Sequence, residues 1–115
     1  MTDEEMDIVF QALSHATRRR ILDLVKARPG QSVGELAAAF DVSRIAVMNH
    51  LAVLEQAGLI LSAREGRTRR LYLNVAPIQL IRDRWINAFD APWAERVTSI
   101  KRLAEAAAQA KEQKE

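Results

Sequence analysis

The chain contains no cysteine. That excludes disulfides and thiolate metal ligands, and a cytoplasmic location is the simplest expectation. Histidine is almost as scarce. His15 and His50 stand far apart in sequence, and residues 77–115 contain none. A metal site needs several converging ligands, so no metal and no cofactor are expected. No histidine–carboxylate pairing occurs at useful spacing, and there is no glycine-rich phosphate loop, so the chain does not read as an enzyme. Apolar runs fall far short of a membrane span, so no membrane partner is expected. The start, "MTDEEMD", is acidic with no apolar core and does not read as a signal peptide. Internal repeats and long linkers are also missing.

What is present suits one small folded domain. The 115 residues are 49% hydrophobic, which is ordinary for a single core. Net charge is +2, but its sign is unevenly placed. "REGRTRR" at 64–70 carries four arginines against one glutamate, and "TRRR" at 17–20 is a second basic knot. Such clusters can give a near-neutral protein one face for a polyanion. They can equally be solvated surface.

Apolar spacing and capping residues mark the elements. Met6, Val9, Phe10 and Leu13 define a helix over 3–13, with acidic residues in its first turn where the helix dipole favours them. A second helix covers 16–28 and ends at "RPGQ". The third opens at Ser32, with Glu35 placed for a capping box and an apolar stripe of Val33, Leu36, Ala37 and Phe40. The fourth runs from Ser43 to about Ala57, and Gly58 closes it. "LILSARE" and "TRRLYLN" read as two strands joined at Gly66. A fifth helix is expected over 77–90 with Pro77 in its first turn. "DAPW" at 90–93 interrupts, and a last helix follows from 93 to about 110. Residues 111–115 are expected to fray, which leaves 1–110 as one domain. The order α-α-α-α-β-β-α-α is a winged helix-turn-helix, mainly α with a small β-hairpin.

The fourth helix raises the functional question. Val47, Leu51 and Leu54 share one side, which is the core face. Ile45, Met48, Asn49 and Ala52 share the other, with Arg44 at its edge. That outward face is small, apolar and amide-bearing. It suits a DNA major groove, where Asn pairs with an adenine edge, Arg with guanine, and Ile or Met touches a thymine methyl. Ser43 and Arg44 sit at the helix start, where free amides favour phosphate. The hairpin offers Arg64, Arg67 and Arg69 to the DNA backbone, while Arg70 can pair across the sheet. Read alone, Ile45 and Met48 could instead pack inside the domain, or form an apolar docking surface for another protein.

The stretches "ALSHATRRRIL", "VGELAAAFDVSRIAVMNHLAVLEQAGLI" and "REGRTRRLYLN" resemble the ArsR/SmtB family of bacterial winged-helix regulators. "RDRWINAFDAPWAERVTSIKRL" further resembles a metal-independent subgroup whose members are often found beside proteins of the SRPBCC (START-like) class. The resemblance implies a homodimeric repressor on a palindromic operator of double-stranded DNA. It also implies a dimer interface on the first and last helices, here Val9, Phe10, Leu13, Trp85, Phe89, Trp93, Val97 and Ile100. A separate observation agrees: the terminal helices carry more large apolar groups than a chain this short can cover. The family's cysteine and histidine metal motifs have no counterpart here. His15 reads as a surface or loop-capping residue. His50 reads as a packing or phosphate-contact residue. An effector, if any, is expected to be a small molecule between the terminal helices or a protein.

Overall fold

The structure is a computed structural model that describes residues 1–86 and 90–114, with side chains outside 87–95 and 111–115. Two compact units divide it, Met1–Ile81 and Arg82–Glu115.

The first unit holds four helices and a hairpin. The helices are α1 (Asp3–Leu13), α2 (Ala16–Ala27), α3 (Val33–Ala37) and α4 (Arg44–Gln56). Strands β1 (Ile60–Glu65) and β2 (Thr68–Leu73) pair antiparallel, and most of α5 (Ala76–Trp85) follows. The mainly helical, winged helix-turn-helix order expected from the sequence is therefore present.

Helices α1 to α4 each start on a side-chain cap. Thr2 and Glu5 form a full capping box on α1, a feature sequence reading missed. Ser32 and Ser43 accept from the amides of Glu35 and Ala46, each at 3.1 Å. The expected box at Ser32 is only half made. The Glu35 carboxylate turns away to Arg28 at 3.1 Å and Arg70 at 3.9 Å, because two guanidinium groups outweigh one backbone amide. His15 caps α2, its Nδ1 accepting from the Thr17 amide at 3.2 Å. At the far end of α4, Gly58 takes φ +74. The Leu59 and Gly58 amides donate to the Leu54 and Glu55 carbonyls at 3.0 and 2.9 Å, which is a Schellman closure.

The "TRRR" knot has a structural role. Arg18 Nε and Nη2 donate to the carbonyls of Ala12 and Gln11 at 2.9 and 3.0 Å, and Arg19 Nη1 donates to that of Leu13 at 2.7 Å. No basic residue lies in the last turn of α1, so α2 supplies the cations that its C-terminal carbonyls favour. Arg20 lies over the Phe40 ring, 5.2 Å from its centre.

The core gathers Val9 and Ala12 of α1, Ile21 and Val25 of α2, Leu36 of α3, and Val47, Leu51 and Leu54 of α4, under Leu59, Ile60 and Leu71. Each large side chain buried there contributes about 1.5–3 kcal/mol. Among the described residues, Gln31 is the buried polar exception. Its Nε2 donates to the Leu24 and Arg28 carbonyls at 2.7 and 3.2 Å. Its own carbonyl accepts from the Leu71 amide at 3.0 Å, and the Gly30 amide donates to the Leu71 carbonyl at 2.8 Å. One glutamine thus ends α2 and ties β2 to the helices.

In the second unit, α6 spans Asp90–Lys114. It begins before position 93, where the sequence suggested a start. Pro92 falls in its first turn, where a missing amide proton removes no helical hydrogen bond. Helix α5 ends at Trp85 rather than near 90, and Phe89 lies outside the described residues. Val97, Ile100 and Leu103 form an exposed stripe on α6.

Candidate nucleic-acid interface

Helix α4 turns the expected face outward. Val47, Leu51 and Leu54 are fully buried, while Ile45 is 73% and Met48 42% exposed. Arg44, Asn49 and Ala52 are exposed as well. The reason is periodicity. The inward stripe fills the core, and Ile45, Met48, Asn49 and Ala52 opposite it are left exposed.

The hairpin stands beside that face. Its register pairs Ile60 with Leu73, Ser62 with Leu71, and Arg64 with Arg69. Alternation puts these three pairs on one side of the sheet. The base of that side is therefore core and its tip is basic. Gly66 takes φ +62 and Arg67 does not, the sign pattern of a two-residue II′ turn. Between tip and helix lies an open groove of about 380 Å³. It is lined by Ser32, Gly34, Arg44, Met48, Arg64 and Arg67, with Arg69. Side chains from the helix-turn-helix and the wing thus meet in one concavity.

The arginines are not equivalent. Arg44, Arg64 and Arg67 make no ion pair among the described residues. Arg69 is paired with Glu55 of α4. Arg70 pairs across the hairpin with Glu65 at 3.4 Å, as the sequence allowed, and reaches Glu35. Glu55 went unnoticed in the sequence, although it follows Ile45, Met48 and Ala52 at helical spacing and so closes the outward stripe.

His50 is only partly exposed and sits at the joint of three helices. Its ring centre lies 4.6 Å from that of His15. Its Nδ1 is 3.5 Å from Arg18 Nη1. Burial first, then the neighbouring His15 and Arg18, push the His50 pKa below its ordinary value. These contacts are packing contacts. Among the described residues, no three metal-ligating carboxylates or imidazoles gather. No described helix is long and apolar enough to cross a membrane.

The residues expected at a dimer interface fall into three groups. Val9 is 2% exposed and belongs to the unit's own core. It shares the inward stripe with Met6 and Ala12, so it has no surface to give a partner. Leu13 is half-buried against the same core. Phe10, Trp85, Val97 and Ile100 are exposed, at 48%, 57%, 44% and 64%. The Trp93 side chain lies outside the described residues.

Comparison with known proteins agrees with this architecture. A family model described as a helix-turn-helix domain matches residues 13–63. An HTH-type transcriptional regulator of Bacillus subtilis, YuzN, is 40% identical over 86 residues, which span 70% of this chain and 94% of that protein. The transcriptional repressor SdpR of the same organism is 38% identical over 74 residues, covering 64% of this chain and 81% of its own. Among solved structures, an ArsR-like transcriptional regulator from Rhodococcus sp. RHA1 superposes with a TM-score of 0.63 at 36% identity. That match covers 88% of this chain and 93% of the other. The chain belongs to the ArsR family of winged helix-turn-helix, DNA-binding transcriptional regulators.

Proposed function

We propose that the chain acts as a homodimeric repressor that seats α4 in the major groove of a palindromic operator and lays its hairpin along the flanking backbone. The observation that carries this reading is the open Ile45–Met48–Asn49 face beside the Arg64–Arg67 tip, around one groove. In it, Asn49 reads a base edge and Ile45 and Met48 touch thymine methyls. Ser43 and Arg44 meet a phosphate at the helix start, and Arg64 and Arg67 meet phosphates from the wing. His50 supports α4 from behind. The resemblance to SdpR, itself named a repressor, supports repression over activation.

Phe10 in the first unit, and Trp85, Val97 and Ile100 in the second, are each proposed to meet a second copy. Four large apolar side chains left to water favour burial against a partner. A twofold pair would set two reading helices roughly 34 Å apart, one turn of DNA. The sequence offers no thiolate or histidine ligand set for metal sensing, which favours the metal-independent subgroup and an organic or protein effector.

Footprinting across the genome tests the reading. A symmetric protected site with half-sites one turn apart is expected. Binding should weaken steeply between about 50 and 200 mM salt. Salt-insensitive binding, or none to any duplex, would instead favour the Ile45–Met48 face as a docking surface for protein.

A further inference from the structure

Three charges meet where the wing leans on the reading helix. Arg64 and Arg69 face each other directly across the hairpin, an arrangement that like charges disfavour. Glu55 of α4 takes Arg69 in an ion pair. Both partners are about two-thirds or more buried, with side chains 33% and 26% exposed, so solvent screens the pair less than a surface pair. Glu55 also lies on the outward stripe of α4. It follows Met48 by seven positions, about 10 Å along the helix axis at 1.5 Å per residue. A bare carboxylate there would repel DNA phosphate.

We propose that Glu55 is a positioning and specificity-determining residue: it holds Arg69 as a neutral unit, pins the wing to the reading helix, and lowers affinity for DNA of arbitrary sequence. This rests on the DNA-binding reading above. An arginine neutralised by a carboxylate releases no net counterion. Sequence-independent affinity depends on counterion release, whereas base contacts depend on the geometry of α4. The pair therefore restrains the first term without touching the second. The operative wing cations become Arg64 and Arg67, which stand free at the tip.

The test is the salt dependence of binding to a labelled duplex of mixed sequence. Three proteins are compared by fluorescence anisotropy between about 50 and 200 mM salt: wild type, Glu55→Gln, and Glu55→Gln with Arg69→Gln. The single variant uncovers one cation. Its log–log slope should steepen by about 0.9, and its affinity near 0.1 M should rise roughly eightfold, the factor that slope gives when scaled from 1 M. The double variant removes a neutral unit, and its slope should equal that of wild type. A single variant with the wild-type slope overturns the inference. So does a double variant whose slope is shallower by about 0.9, because Arg69 would then itself neutralise a phosphate. If Glu55→Gln does not fold, the double variant decides alone, since neither side chain is left unpaired in it. A wild type indifferent to salt would overturn the DNA-binding reading first. A salt-sensitive wild type with an unresponsive Glu55→Gln would overturn only the role of Glu55.

Discussion

The imidazole rings of His15 and His50 lie 4.6 Å apart, although one caps α2 and the other sits on α4. In the sequence the two histidines looked solitary. Folding brings them together with Arg18, which also holds the end of α1. A neutral His50 fits this joint. A protonated one would face Arg18 and His15 from a partly desolvated position.

Stability should therefore fall in mild acid. The folded pKa of His50 lies below its ordinary 6.5. As pH drops, the unfolded chain binds the proton first, so the stabilisation is complete above 6.5 and is lost as pH falls through the folded value. Melting temperatures measured from neutral pH downward should decline more steeply in wild type than in His50→Gln. Parallel curves would show that His50 is not the titrating group.

Gln31→Ala should cost about 0.5–1.5 kcal/mol of unfolding free energy, because the Leu24 and Arg28 carbonyls lose a side-chain donor and keep only their backbone ones. Urea midpoints report this directly. A loss below the measurement error would mean that water replaces the amide.

Gly58→Ala should cost about 1–2 kcal/mol, the penalty of a left-handed backbone for a residue with a Cβ. Space is not the cause. The added carbon would stand 3.7 Å from Pro77 Cγ, an ordinary contact, while φ is +74. An equally stable variant would place the end of α4 in another conformation.

Two of the side chains proposed to meet DNA should behave differently. Asn49→Ala is expected to cost about 1–3 kcal/mol on the operator and to relax base preference at one position. Arg67→Ala should weaken binding evenly on all sequences and flatten the salt slope by about one. Competition assays on single-base operator variants separate the two patterns. Selectivity that is unchanged by Asn49→Ala would remove it from the reading surface.

Much of the fold was legible because its signals are local. Ser43 and Ser32 cap, Gly58 closes, and Val47, Leu51 and Leu54 repeat at helical spacing, all within a few residues of where they act. The same spacing showed that Ile45, Met48 and Asn49 would face away from the core. Where competing signals were close in strength, the boundaries shifted. Pro92 looked like a break and is tolerated in a first turn, and the "DAPW" stretch lies at the start of α6 rather than before it.

The sequence by itself determined the elements, their order and the open side of α4, since caps and periodicity act through neighbours along the chain. It also supplied every arginine, but it did not say what each would do. Tertiary structure alone decided that Arg18 and Arg19 hold α1, that Arg69 and Arg70 answer to Glu55, Glu65 and Glu35, and that Arg64 and Arg67 stay clear of acids among the described residues. The physical reason is that a charge is assigned by whatever it meets in space, and those meetings exist only once separate elements have folded back on one another.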